Sequence, residues 1–378
     1  MADLSLSILF VDQYGHMGGG QRILVDLVIA AKARGWRVHV LCPSGPLVDV
    51  ARNGGADVHI LALPVMRDGP KSLISLVRMS VASRHLARKY ASLAQSCDLI
   101  VVNGPRTLAI ARTWVRRFKK PALLYLHKQY GRIENALIRF FLSLPHTAAV
   151  AVSALVAKPF DDLANVRHIS NWVAAEFLDA PASLQRLRQV LGIKDSNPIV
   201  LVPGRFSPNK GQRLALEASR LLADVSCHFV FSGAPLFEEQ GREVAKELAA
   251  QAAQQPSRIH VTDWQEGMSA LYDGADVVLV PSVWEEPFGL TAIEAMARAR
   301  PLIVTDRGTL SELTDDGRFA QVVPADSRAI AASLRTFFAD RSAWNNRARQ
   351  SRNHVEKNFH PHTLQPEVLA LCESLLQS

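Results

Sequence analysis

Two cations and two carboxylates in the second half of the chain have the types and spacing to hold a diphosphate and the hydroxyls that accompany it. Arg205 and Lys210 lie in LVPGRFSPNKG (201–211), where an apolar run passes through a loop into a helical pattern. Arginine offers a planar fork and lysine a point charge, so the pair can neutralise adjacent phosphates. Two surface cations on a loop would look the same, and this segment alone decides nothing. Glu286 and Glu294 stand eight residues apart in PSVWEEPFGLTAIEAMA (281–297). Pro287 and Gly289 shape a turn there, and a helix begins near Gly289. Its first N–H groups lack intrahelical acceptors, so the backbone around Phe288, Gly289 and Leu290 suits phosphate or sugar oxygens. Glu294 shares the apolar stripe of Leu290 and Ala297. A carboxylate there needs donors, which ribose hydroxyls or a nearby arginine would supply. TDRGTLSEL (305–313), with Gly308, Ser311 and Glu312, reads equally well as a turn with a helix cap.

The first half carries a second set. In YGHMGGGQ (14–21), Gly18 and Gly19 let backbone approach a ligand closely. The spacing is G-x-x-G-G-G, and the next strand ends in Leu-Cys-Pro-Ser without an acidic residue, so a dinucleotide site is disfavoured. His127, Asn103 and Ser153 each end a strand-like run, in ALLYLH, DLIVVN and AAVAVS.

These residues need a scaffold that gathers strand ends. Short runs buried on both faces alternate with helical patterns along the chain, which predicts parallel sheets covered by helices. SILFVD (7–12) precedes a helix with Ile23, Leu24, Leu27 and Ala31 on one face, ended by Gly35. The pattern restarts at PIVLVPG (198–204) and continues through HFVFSG, RIHVT, ADVVLVP and PLIVT. Two Rossmann-like, doubly wound α/β domains are therefore expected, at 1–175 and 176–362. Ligands should bind beyond the carboxyl ends of their strands.

At 378 residues the chain suits two cores. Four scattered cysteines without CxxC spacing argue against a disulfide framework and a zinc site, and favour a reducing compartment. No signal peptide or membrane-spanning run is read. The net charge of +8 suggests an anionic partner. Part of it lies in RTLAIARTWVRRFKK (106–120), where Trp114 and Phe118 would share one helix side, and in Lys71–Lys89 with Arg78, Arg84 and Arg88. Each reads as a solvated helix face or as an interfacial helix on anionic lipid.

E-P-F-G-x-x-x-x-E-A-M-A, from Glu286 through Glu294, resembles the E-x7-E signature of retaining glycosyltransferases of family 4, which have the GT-B fold. GRFSPNKG, the stretch from GADVVLVP to PLIVTD, and GGGQRILVDLVIAAKARGWRVHVLCP resemble that family's other typical segments, in order. The resemblance covers nearly the whole chain and is strongest over 198–313. It implies two domains facing across a cleft, the first binding acceptor and the second the nucleotide sugar, with a C-terminal helix (363–378) returning to the first.

It also implies roles. Arg205 and Lys210 would bind the donor diphosphate and stabilise its departure, and Glu294 would bind ribose hydroxyls. Glu286 would bind donor-sugar hydroxyls, and backbone at Phe288, Gly289 and Leu290 would touch sugar and phosphate. Gly18 and Gly19 would approach the donor, His127 would stand near its sugar, and Asn103 and Ser153 would line the acceptor side. Gln21 stands where the family usually has glutamate, and Trp172 follows Asn171 where it commonly has glycine. No D-x-D motif occurs, so turnover is expected with neither metal nor cofactor.

The expected reaction moves a hexose, with retention, from a nucleoside-diphosphate sugar to a glycan or glycolipid hydroxyl in cell-envelope synthesis. It would take place in the cytoplasm or on the inner face of the membrane. The expected partners are that donor, that acceptor and an anionic membrane surface met through 106–120, with no nucleic acid. A nucleotide-sugar epimerase and a non-catalytic binder of anionic polymer are the competing readings.

Overall fold

The computed structural model describes residues 5–63, 82–236, 239–263 and 268–377, so Lys71 and Arg78 lie outside the described residues. The chain divides into two compact units. Met1–Asn171 with His362–Ser378 form the first, and Trp172–Pro361 form the second. The division falls four residues before the expected boundary. Trp172, Val173 and Phe177 are buried, and the Val173 N–H donates to the Phe359 carbonyl at 3.0 Å, which ties this stretch to the second unit.

In the first unit, the described residues form one parallel sheet of β1 (Ser7–Asp12), β2 (Arg37–Cys42), β3 (Asp57–Ile60), β4 (Leu99–Asn103), β5 (Ala122–Leu126), β6 (Thr147–Ala151) and β7 (Val166–His168), in the order 3-2-1-4-5-6-7. Every residue of β1, β4, β5 and β6 is buried, as expected for strands covered on both faces. Helix Gly19–Ala33 turns Ile23, Leu24, Leu27 and Ala31 inward and ends before Gly35, whose φ is +79°. Helix Pro361–Gln377 joins this unit and buries Cys372, and Arg34 reaches Glu373 on it at 2.7 Å.

In the second unit, β8 (Ile199–Pro203), β9 (His228–Ser232), β10 (Ile259–Thr262), β11 (Val277–Val280), β12 (Leu302–Thr305) and β13 (Gln321–Val323) form a parallel sheet in the order 10-9-8-11-12-13. Val200, Val202, Phe229, Phe231 and Leu279 from its strands share a core with Phe337 and Trp344 from the helices Ser327–Ala339 and Arg341–Asn358. In both sheets the strand order reverses beside the first strand, between β1 and β4 and between β8 and β11. Loops leaving adjacent strands in opposite directions open a crevice at such a point.

The aromatic side of 106–120 turns inward. The helix Leu108–Phe118 forms, but Trp114 is fully buried and its indole N–H donates to the Ala87 carbonyl at 2.8 Å. Its apolar side is core, so Trp114 is no interfacial anchor, while Arg116 and Arg117 remain exposed. Lys119 ends the helix in a left-handed conformation.

A buried ion pair fixes the start of the second unit. Arg298 donates to both oxygens of Asp273, at 2.8 and 2.7 Å, with each side chain 3% exposed. Arg298 also donates to the carbonyls of Phe177 and Ala180, and Asp273 accepts from the Ser183 N–H. Arg298→Met should cost about 3–5 kcal/mol, because it strands a buried carboxylate. Urea denaturation of the variant measures this, and a midpoint equal to wild type would show that the pair does not hold this segment.

Candidate functional site

The second unit's switch point brings three strand-end loops together. The loop after β8 runs through Arg205 into a short 3-10 turn, Pro208–Lys210, and then into helix Gln212–Leu221. The loop after β11 carries Ser282, Trp284 and Glu286 and enters helix Leu290–Ala297. Backbone stitches the two: the Val283 N–H donates to the Asn209 carbonyl at 3.0 Å. Gly211, at φ +69°, passes so close to Pro281 that a Cβ would stand 1.8 Å from its carbonyl oxygen. The third loop, after β12, contributes Thr309. Its N–H donates to the Glu286 carbonyl at 3.0 Å and its hydroxyl to the Phe288 carbonyl at 2.8 Å.

This frame places Lys210 against Glu286. The ammonium donates to Oε1 and to Oε2, both at 2.8 Å, with side chains 20% and 7% exposed. Oε2 also accepts from the Ser282 hydroxyl at 2.8 Å and the Trp284 indole at 3.3 Å. Burial pushes the carboxyl up, but the Lys210 charge and the three donors outweigh it and hold Glu286 below the ordinary carboxylate range. Glu286 is thus an anion at neutral pH, with Oε1 taking one donor where Oε2 takes three.

Glu294 is 6% exposed, and the Tyr272 hydroxyl donates to its Oε2 at 2.5 Å. Phe288 turns its ring edge-on to Phe359 at 5.9 Å, so its backbone rather than its side chain is turned to the loop crossing. Gly289 is the helix N-cap at φ +98°, where an added Cβ would meet Leu310 at 2.7 Å; Leu290 is half-buried. Arg205 is half-buried, and its carbonyl accepts from the Gln212 amide. Gly308 is a left-handed residue whose N–H donates to Glu285 at 2.9 Å. Sequence reasoning missed Ser282, Trp284, Thr309 and Tyr272. Ser282 and Trp284 were legible as donors within four residues of a buried carboxylate, whereas Tyr272 lies 22 residues from Glu294 and left no local sign.

The first unit's switch point holds a polar chain. Asp12 ends β1 and pairs in register with Asn103 at the end of β4. The Asp12 carboxyl accepts from the Tyr14 N–H at 2.7 Å, from the Gln21 amide at 3.1 and 3.2 Å, and from the Asn103 amide at 2.5 Å. Gln21 also accepts from the Gly18 N–H, closing the start of helix Gly19–Ala33. With its nitrogen spent on Asp12, Asn103 presents an oxygen to His127 Nε2, 2.5 Å away. The imidazole proton therefore sits on Nε2. Nδ1 is shut off from solvent and has no partner among the described residues. The ring stacks on Tyr125 at 4.7 Å and lies over Gly20, where a Cβ would approach it to 3.1 Å. Asn103 is committed at both ends of its amide. Ser153 is buried and caps the turn Ala154–Ala157 through the Val156 N–H at 3.3 Å.

Burial pushes Asp12 up to about 6, against the lowering pull of its donors, and pushes His127 down to about 3. The two act oppositely on stability. Asp12 contributes stability present below the unfolded value near 3.8 and lost as pH rises through 6. His127 contributes stability present above 6.5 and lost as pH falls toward 3. His127→Gln keeps a donor for Asn103 and does not titrate. Between pH 7.5 and 5, wild type should therefore lose up to about 2 kcal/mol more than this variant. Urea midpoints at the two pH values test it; parallel losses would mean that His127 is not held neutral.

Known proteins match on both units. The Glycosyltransferase Family 4 model matches residues 17–177, and the Glycosyl transferases group 1 model matches residues 184–357. A lipopolysaccharide 1,2-N-acetylglucosaminetransferase of Salmonella typhimurium is 30% identical over 172 residues, which are 41% of this chain and 43% of that protein. A phosphatidyl-myo-inositol mannosyltransferase of Mycobacterium leprae is 24% identical over 330 residues, covering 84% of this chain and 83% of the relative. The chain thus spans less than half of the first relative and most of the second. The structure of HepE from Anabaena in complex with UDP and glucose superimposes with a TM-score of 0.81 at 21% identity, over 98% of this chain and 100% of that one. The two family matches leave only 178–183 between them, and with two doubly wound parallel-sheet units beneath them the chain belongs to the GT-B glycosyltransferases of the family 4 type.

Proposed function

We propose that the chain moves a hexose from a nucleoside-diphosphate sugar to a hydroxyl of a glycan or lipid-linked acceptor, with retention of anomeric configuration and without a bound metal. The observation that carries this reading is the Lys210–Glu286 pair at the switch point of the second unit. An ammonium has three N–H groups, of which Glu286 takes two; the third, with Arg205, is assigned to the donor diphosphate. Glu286 Oε1 is assigned to a donor-sugar hydroxyl, Glu294 to the ribose, and the backbone from Phe288 to Leu290 to sugar and phosphate oxygens.

On this reading the acceptor oxygen bonds to the anomeric carbon on the face from which the diphosphate leaves. The bond from that carbon to the phosphate oxygen breaks, and the acceptor proton passes to the departing diphosphate. Negative charge grows on the leaving group, and the role assigned to Lys210 and Arg205 is to stabilise it. No protein nucleophile is required. His127, neutral at working pH, is assigned to the donor sugar's surroundings, with Gly18 and Gly19 giving backbone access. Asn103 and Ser153 are assigned to support of the acceptor side rather than to contact. The relatives' names, which include a lipopolysaccharide sugar transferase and a phosphatidyl-myo-inositol mannosyltransferase, support an envelope glycan or glycolipid acceptor. Among the described residues, no helix is long and apolar enough to cross a membrane.

Thermal shift against UDP, GDP and ADP and their sugars, with and without chelator, tests the donor. Stabilisation by one nucleoside diphosphate, unchanged by chelator, is expected; no shift at millimolar ligand would exclude these three donors and favour the non-catalytic binder. Lys210→Ala should lower turnover on the order of 100-fold, as removal of other charge-stabilising donors does. Wild-type turnover in that variant would take Lys210 out of the mechanism.

A further inference from the structure

The helix Arg132–Leu142 in the first unit is apolar on two sides. Ile138, Phe141 and Leu142 face the core. Ile133, Leu137 and Phe140 do not: they are 73%, 51% and 57% exposed. Their spacing of four and three residues places them in one stripe along the helix. Three of the eight large hydrophobic side chains exposed among the described residues are on this one helix. Scattered exposed hydrophobics are ordinary, but a contiguous row is not.

The rim of the stripe is basic. The Arg112 guanidinium, from the preceding helix Leu108–Phe118, lies 3.5 Å from the Phe140 ring centroid and donates to the Phe140 carbonyl at 2.5 Å. Arg116, one turn further along that helix, is exposed, and so is Arg132 at the start of the stripe's own helix. Two acids temper this. Asp162 takes both Arg139 nitrogens, at 2.8 and 2.6 Å, and Glu134 accepts from the Gly131 N–H. Among the described residues, Arg112, Arg116 and Arg132 have no acidic partner.

We infer that this face, and not the buried side of 106–120, docks on an anionic lipid bilayer, with Ile133, Leu137 and Phe140 entering the interface and Arg112, Arg116 and Arg132 meeting phosphate headgroups. An apolar stripe with arginines at its edge is the pattern of a helix lying in a membrane surface. A second copy of the chain fits less well. A two-fold contact through the stripe would set the same arginines against each other. Arg112 is held over Phe140 and pre-set to reach a headgroup as the ring inserts. The inference is independent of the donor-site chemistry.

Flotation of the full chain with phosphatidylglycerol-containing and pure phosphatidylcholine vesicles tests it. Binding is expected to the anionic vesicles, weakening as salt rises. The triple variant Ile133→Ser, Leu137→Ser, Phe140→Ser should lose it, with an unchanged melting temperature because those side chains are exposed. Arg116→Gln and Arg132→Gln should each weaken binding about five-fold. Equal binding to both vesicle types, no binding to either, or a triple variant that floats like wild type would each overturn the inference. A concentration-dependent dimer that the triple variant abolishes, without vesicle binding, would assign the face to a second copy instead.

Discussion

The charge pair Lys210–Glu286 is the contact on which the second unit's candidate site depends. Each partner comes from a loop that begins where an adjacent parallel strand stops, β8 for one and β11 for the other. A carboxylate as buried as Glu286 stays ionised only because a cation and two neutral donors converge on it. The convergence comes from backbone. Gly211 lets one loop touch the Pro281 carbonyl, Asn209 and Val283 share a hydrogen bond, and Thr309 holds the Glu286 and Phe288 carbonyls from the third loop. Thr305 adds a hydroxyl to the Ser282 carbonyl at 2.6 Å. Side-chain charge and loop shape therefore specify each other.

The first unit solves the same geometrical problem without an ion pair. Asp12 and Asn103 end neighbouring strands at its switch point, and a chain of amides runs from the buried carboxyl to the imidazole of His127. Gln21 belongs to this chain. A glutamate in its place would set a second carboxylate about 3 Å from Asp12, and like charges that close cannot both ionise. Glutamine at residue 21 donates to Asp12 and leaves it the single carboxylate of this chain of hydrogen bonds. Through Asn103 this chain fixes the tautomer of His127, and burial keeps its ring neutral.

Much of this was legible because parallel strands buried on both faces leave an unmistakable apolar rhythm, and because the loops that follow them carry glycine, proline and charge. What escaped is equally physical. β7 and β13 are three-residue edge strands, only partly buried, and too short to show periodicity. Trp114 and Phe118 have helical spacing, but spacing cannot tell a core face from a membrane face; the Ala87 carbonyl that receives the indole N–H decided it. Exposure of Ile133, Leu137 and Phe140 was likewise hidden in a segment that reads simply as apolar. Tyr272 reaches Glu294 from a different helix, a relation that exists only once the chain has folded.

The Arg298–Asp273 pair shows why a protein keeps charge in its interior where an apolar pair of similar volume would often be as stable. The chain from Trp172 to Ser183 enters the second unit without a sheet to satisfy its backbone. The Phe177 and Ala180 carbonyls and the Ser183 N–H still need partners, since buried backbone groups left unpaired are costly. Arg298 supplies the donors and Asp273 the acceptor, while each neutralises the other. A leucine and a methionine would fill the space and leave three backbone groups unmet. Arg298 also follows directly on the helix Leu290–Ala297, whose first turn forms the candidate phosphate contact and whose Glu294 meets Tyr272, the residue next to Asp273. The same buried pair that anchors the incoming chain therefore fixes the far end of the helix on which the site is built.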